Sequence, residues 1–563
     1  MGHGNSSPLM NSIAASTLFA AASCAQSQAV PVAEAQAAGP VAIADQDFVE
    51  QCQALDHMVI EGIGPNPGRI VHVEAVQGRK TAGRQGVMFY KRGNSQGNPT
   101  PQMDTFPDHC LVEGYVTPHV KFALMLPPAS KWNGRYMHAA CDAWCGKVHE
   151  EITVPGLHDG YATLTNDGGH YSRAPFDGTW AHQDIQAREY FAHRANHVTT
   201  PVGKAIVEAF YGKPADFSYL TGFSKGGNAG LFAAQKYPED FDGIFVKAPV
   251  VKYNEKNAAH FTWQAKAIYP NNDQTPTLTA DKAGIIQAAA TQACDGYDGV
   301  VNGVIDDPRI CDFDPVVLRC EEGQDEATDP CLNDAQIKTV QLLYTPPTAE
   351  DGTVYHDYAV DRGSETEWPM KLLPQRGVNP PGYPVALSAA DTGIKYMALY
   401  DNPGPDYNWR DFDFMAEDAN LEPMSDILNP DETDLSGFQS AGGKMIIVHG
   451  WADPLISANM TLDWFEEMTA FMGGEDAVSE FAQFYLIPGL WHGSGGDGPD
   501  VYDAQTALVE WVENGVAPTE LMVQDDPGDE PFRSRAFYPY PDISKYSGTG
   551  DVNEAESYVR VDK

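Results

Sequence analysis

Positive charge is what this sequence has least of. Its 563 residues carry 36 Lys and Arg against 78 Asp and Glu, a formal net charge of −42. A chain so poor in cations is unsuited to neutralising a phosphate backbone or an anionic bilayer, which argues against nucleic acid and membrane-surface partners. Nor does any uninterrupted apolar run reach the roughly 20 residues of a transmembrane helix. An H-E-x-x-H motif is missing as well. His193 and His197 stand four apart, but no acid completes a metal pair, and they read as ordinary helix residues. Cys141 and Cys145 have no second ligand pair nearby, which argues against zinc. What remains is a long, acidic chain that can bury a large core and stay soluble in a salty medium.

Residues 1–38 have the features of a signal peptide or disordered leader. A short apolar stretch, Ile13 to Ala22, is followed by small residues, although no Lys or Arg precedes it. Ala21-Ala22-Ser23-Cys24 resembles a lipobox, which leaves a lipid-anchored Cys24 as an alternative to cleavage between Ala25 and Ala38. Without Cys24, eight cysteines remain. An even count behind a leader suggests disulfides and a secreted or periplasmic destination.

The chemistry centres on Gly222-Phe223-Ser224-Lys225-Gly226. A β-rich run, 217–221, precedes it and helix formers follow from Gly230 to Tyr237. Strand, tight turn and helix are the context of a nucleophile elbow, in which Ser224 sits in strained backbone with its Oγ exposed. Such a serine needs a base and an orienting acid, and in α/β-hydrolases these follow in the order Ser, Asp or Glu, His. Downstream, the apolar strand Lys444–Val448 leads to Asp453, and Phe484–Ile487 leads to a glycine-rich loop carrying His492. All three residues lie beyond the carboxyl ends of strands, where open α/β sheets place their sites. The expectation is a catalytic triad of Ser224, His492 and Asp453.

These segments, with Tyr190 to His197 and Tyr237 to Ile244, resemble the tannase/feruloyl esterase family over about residues 48–530. The resemblance implies an α/β-hydrolase domain with a large inserted lid domain. It also implies hydrolysis of aromatic carboxylic esters. On this reading residues 39–250 and 436–563 form the two parts of the core, and 251–435 form the lid. The run Cys294 to Pro308 resembles the family's calcium loop. There Asp295, Asp298 and Asn302 would give side-chain oxygens, and Val300 and Val304 backbone carbonyls, to a structural Ca2+. The family usually has Asp where this chain has Asn302. No organic cofactor is expected. The resemblance further implies disulfides Cys294–Cys311 and Cys320–Cys331, with Cys52–Cys110 and Cys141–Cys145 as the remaining pairs.

Two departures stand out against the family. Its members commonly bridge the residue before the nucleophile to the residue after the base. Here those positions are Phe223 and Gly493, so the His492 loop should be held by packing alone. The family's glycine run after the strand at 134–139 is replaced by Ala140-Cys141-Asp142-Ala143-Trp144-Cys145-Gly146. An oxyanion hole needs two N–H donors. One should be Lys225, the other Cys141 or Asp142, with the Asp142 carboxylate turned away from the site and a Cys141–Cys145 clamp shaping the loop.

The lid should supply the substrate pocket, with Phe261, Trp263, Tyr396, Tyr400 and Trp409 as candidate aromatic walls and Arg410 or Arg376 as partners for a substrate carboxylate. His170 reads as structural, and the acidic tail after about 540 as an irregular surface segment. The function expected is a secreted serine ester hydrolase acting on a small aromatic ester: feruloyl or hydroxycinnamoyl, galloyl, or a terephthalate half-ester. The alternatives are a catalytically silent, calcium-stabilised binding protein on the same scaffold, or a peptidase or acyltransferase using the same triad.

Overall fold

The structure, a computed structural model, describes residues 46–64, 66–80, 105–271, 275–349, 351–376, 384–414, 416–526, 529 and 531–562. The leader and Cys24 lie outside the described residues. Residues 45–563 form one compact unit.

A ten-stranded mixed sheet runs through the core. Its strands are β1 (Val59–Ile60), β2 (Gly68–Val76), β3 (His109–Val116), β4 (Val120–Leu126), β5 (Arg135–Ala139), β6 (Ala162–Asn166), β7 (Phe217–Phe223), β8 (Gly243–Lys247), β9 (Lys444–Gly450) and β10 (Ala482–Ile487). Their spatial order is β1-β2-β3-β4-β6-β5-β7-β8-β9-β10. The first four strands and the β4–β6 pair are antiparallel; from β6 through β10 every pairing is parallel. The parallel strands are covered on both faces, which explains their continuous apolar sequences. Alternate residues go to opposite faces: Tyr219, Phe245, Ile446 and Tyr485 pack with Leu508 and Trp511 of one layer. Leu220, Val246, Ile447 and Phe484 pack with Leu231, Leu462 and Phe465 of the other. This is an α/β-hydrolase architecture.

Residues 251–435 lie between β8 and β9 and add no strand to the sheet among the described residues. The lid insertion lies in this stretch, with helices such as Phe261–Ile268, Ala283–Cys294, Asp334–Leu343, Val385–Gly393 and Asp418–Leu428. All four disulfides are closed at the expected pairs, Cys52–Cys110, Cys141–Cys145, Cys294–Cys311 and Cys320–Cys331. The helix leading to the elbow strand is not uniform. A π-helical turn, Tyr190–Arg194, precedes α1 (Ala195–Tyr211). His193, in the π-helical turn, bonds Tyr237 Oη at 2.7 Å, and His197, in α1, bonds Asp240 at 2.8 Å.

The tail after 540 is not irregular. Ile543–Tyr546 and Tyr558–Val561 pair antiparallel. Arg535 holds this pair to the lid, bonding Asp306 on the lid side and the Ser544 carbonyl on the other. Charge-assisted pairing adds to the burial of Tyr558 in ordering it, which an acidic composition alone did not reveal.

Candidate active site

The elbow is built by close approach. Ser224 ends β7 at φ 56°, ψ −115°, and α2 (Lys225–Lys236) starts at the next residue. A Cβ on Gly222 would lie 2.1 Å from the Gly226 carbonyl oxygen, so only glycine lets the strand end and the helix start touch. A Cβ on Gly226 would lie 2.8 Å from the Ala140 oxygen, so this glycine lets the helix back onto the 140–146 loop. The spacing G-x-S-x-G is thus a steric requirement of the turn.

Ser224, His492 and Asp453 are brought together from three strand ends. His492 Nε2 is 3.2 Å from Ser224 Oγ, and its Nδ1 is 2.6 Å from Asp453 Oδ2. The other Asp453 oxygen accepts the N–H groups of Leu455 and Ile456, both at 2.9 Å. Burial pushes the Asp453 carboxyl up, but the charge of His492 and hydrogen bonds from His449 and His492 outweigh it and hold it well below the usual range. Burial lowers the His492 imidazole, against the pull of Asp453, and Lys371 lowers it further. An imidazole kept neutral beside an ionised carboxylate can accept a hydroxyl proton.

The His492 loop is not held by packing alone. The Phe223 ring lies 4.6 Å from the imidazole, centroid to centroid, and a Cβ on Gly493 would fall 2.3 Å from that ring. In addition, the His492 N–H donates to Glu367 Oε2 of the lid at 3.0 Å. Burial pushes the Glu367 carboxyl up to about 8, with Lys371, one helical turn on and 3.7 Å away, opposing. Sequence reasoning missed Glu367; its spacing from Lys371 in Glu367-Trp368-Pro369-Met370-Lys371 was the available signal.

Around Ser224 lies a cavity of about 480 Å³, with Trp144, Phe176, Phe223, Tyr253 and Phe261 on its walls. Of the five aromatic candidates, Phe261 lines it. Trp263 instead donates to the Leu342 and Thr345 carbonyls, Tyr396 packs on His182, and Trp409 is covered by Arg410. Tyr400 is exposed. Neither arginine reaches the cavity: Arg376 pairs with Asp281 at 3.1 Å, and Arg410 donates to the Asn271 carbonyl. The cations there are lysines 147, 225, 256 and 371. His170 stacks on Trp180 and bonds the Trp144 carbonyl, a structural role.

Cys141–Cys145 closes the 140–146 loop, with Ala143 and Cys145 at positive φ. Asp142 is among the residues that line the cavity. Burial pushes its carboxyl up, against His149, its own N–H and Lys371. The candidates for the two oxyanion donors are the N–H groups of Lys225 and of Cys141 or Asp142.

In the lid loop, the Asp295 carboxylate accepts the N–H groups of Asn302 and Gly303, and Asp298 accepts that of Val300. Asn302 Nδ2 donates to Tyr558 Oη at 3.3 Å, so its Oδ1 faces the loop, where it accepts from Val304. Among the described residues no three His, Cys, Asp or Glu side chains gather as a metal site by themselves. This loop would draw instead on two carboxylates, one amide oxygen and two carbonyls, a hard oxygen set compatible with calcium.

A family model described as tannase and feruloyl esterase matches residues 107–561. A mono(2-hydroxyethyl) terephthalate hydrolase from Piscinibacter sakaiensis is 27% identical over 576 residues, covering 90% of this chain and 91% of that one. A probable feruloyl esterase B-2 from Aspergillus flavus is 30% identical over 429 residues, 70% of this chain and 76% of that one. A crystal structure of an esterase from Aspergillus oryzae superposes with a TM-score of 0.75 at 26% identity, covering 91% of this chain and all of that one.

Proposed function

We propose, from the premise that the chain belongs to the tannase and feruloyl esterase family and is a carboxylic ester hydrolase of that type, that it cleaves small aromatic esters through an acyl-enzyme on Ser224. The observation that carries this reading is the continuous hydrogen-bonded line from Ser224 Oγ through His492 to Asp453, opening into a cavity with aromatic walls. Ser224 Oγ attacks the ester carbonyl while His492 Nε2 takes its proton. The N–H groups of Lys225 and of Cys141 or Asp142 hold the developing oxyanion. His492 then protonates the leaving alcohol, activates a water against the acyl-enzyme, and returns the proton to Ser224 as the acid departs. Asp453 fixes the imidazole with Nδ1 protonated and stabilises its charge.

Asp295, Asp298, Asn302 and the Val300 and Val304 carbonyls would hold Ca2+, which when bound braces the lid against the tail. Four disulfides support export to an oxidising compartment, secreted or periplasmic. No helix among the described residues is long and apolar enough to cross a membrane.

The test is hydrolysis of p-nitrophenyl acetate, methyl ferulate, methyl gallate and mono(2-hydroxyethyl) terephthalate by the wild type and Ser224→Ala. Cleavage by the wild type and its loss in the variant support the reading. Equal inertness of two folded proteins would favour a binding protein.

A further inference from the structure

The acidic chain concentrates lysines at its catalytic cavity, and three of the four are accounted for. Lys225 Nζ donates to the Ala192 carbonyl at 3.1 Å beneath the Phe191 ring. Lys371 sits 3.7 Å from Glu367 and acts on Asp142 by charge. Lys147 is exposed. Lys256 differs: its residue is 5% exposed, it lines the cavity, and it makes no side-chain hydrogen bond or ion pair among the described residues. Its ammonium lies 4.5 Å from the centre of the Phe261 ring. Asp453 acts on it by charge, but the oxygens of Asp453 are committed to His492, Leu455 and Ile456.

The local backbone is also unusual. Lys256 opens a π-helical turn, Lys256–His260, wedged between short helices. Such turns are frequent at functional sites, and of the three among the described residues this one lies at the cavity. Burial lowers Lys256 to about 7 against the more distant charge of Asp453, and an anionic ligand in contact with it would stabilise its charged form.

We propose that Lys256 determines specificity by binding a carboxylate carried by the substrate, so that the preferred ester is an anion. This rests on the reading of Ser224 as the nucleophile of the same cavity. A ring held between Phe176, Tyr253 and Phe261, with its ester carbonyl at Ser224, would place a second carboxylate towards Lys256. The role sought on Arg410 or Arg376 then falls to a lysine on the cavity wall.

Two esters of nearly equal shape separate the possibilities: monomethyl terephthalate, which is anionic, and methyl 4-methylbenzoate, which is neutral. The wild type should favour the anion in kcat/KM by roughly 10- to 100-fold, chiefly through KM, as expected for one buried charge-assisted contact. In Lys256→Met that ratio should collapse towards one, and Lys256→Arg should keep part of it. Near-UV circular dichroism and Tm establish folding, with Lys256→Gln as the second neutral variant. No preference in the wild type, or a preference that survives both neutral variants, overturns the proposal and leaves the esterase reading intact. If no ester is cleaved, the nucleophile reading fails. Calorimetry of terephthalate binding to Ser224→Ala, with and without Lys256→Met, then decides. Binding lost with Lys256 supports the anchor, and binding that is absent or unchanged overturns it.

Discussion

Glu367→Ala should damage catalysis more than it damages the fold. The Glu367 carboxyl oxygen accepts the buried N–H of His492 at 3.0 Å from the lid side. Removing an acceptor from a buried donor costs about 1–3 kcal/mol. If that cost falls on the arrangement that holds the imidazole at Ser224, kcat/KM drops about 5- to 150-fold, at roughly 1.4 kcal/mol per factor of ten. Glu367→Gln keeps an acceptor oxygen and should recover most of the loss. A second readout separates positioning from mere stability. Burial raises the Glu367 carboxyl to about 8 in the fold. From the ordinary carboxylate range up to about 8, the folded state holds a proton that the unfolded state has released. Stability contributed by this residue therefore falls as pH rises through that window. Glu367→Gln should flatten that slope while keeping near-wild-type kcat/KM. Steady-state kinetics on p-nitrophenyl acetate and Tm against pH make the comparison. If Glu367→Ala retains wild-type kcat/KM, the lid contact does not position His492 and the reasoning fails.

The neighbouring contacts make further predictions. Gly493→Ala puts a Cβ 2.3 Å from the Phe223 ring at φ +86°. It should lower Tm and kcat together, and adding Phe223→Ala should relieve the clash, leaving a double variant less impaired than the sum of the singles. Lys371→Met removes a charge that lowers His492. Because His492 works as the neutral base, activity is lost as pH falls through its pKa, so the acidic limb of kcat/KM should move to higher pH; an unchanged limb would refute the coupling. Calcium chelation should lower Tm with little initial effect on kcat, and Asn302→Asp should raise the chelator concentration required. A chelator without effect on Tm would remove calcium from the account.

The parts that could be read from sequence were those encoded over short distances. The elbow was legible because Gly222 is demanded by contact with Gly226, four residues on, although Gly226 is itself demanded by the distant Ala140 carbonyl. Asp453 and His492 were legible because each closes an apolar strand in the expected order. What sequence could not carry was placement across the insertion. His492 meets Glu367 across a sequence separation of 125, and no local pattern marks such a partner. The same limit explains the lid candidates. Arg376 and Arg410 have the right chemistry for a carboxylate, but Asp281 and Trp409 hold them elsewhere, while Lys256 reaches the cavity through a π-helical turn that composition does not reveal. The surroundings of Asp142 were equally out of reach, because His149 and Lys371, whose charges act on it, come from outside the loop.

A covalent bridge between positions 223 and 493 would make the base loop a property of the core. Here the Phe223 ring and a lid carboxylate take its place, so the geometry of His492 depends on the lid staying docked. Tyr253, Lys256, Phe261 and Lys371 reach the cavity from the same insertion. Substrate binding and base positioning therefore share one non-covalent interface, whose local opening needs less free energy than global unfolding. In a urea titration, esterase activity should fall before far-UV circular dichroism changes, and a competitive inhibitor seated against Phe261 should bring the two transitions closer together. Coincident transitions without inhibitor would mean that lid and sheet unfold as one cooperative unit, and that the missing bridge costs the site no independent mobility.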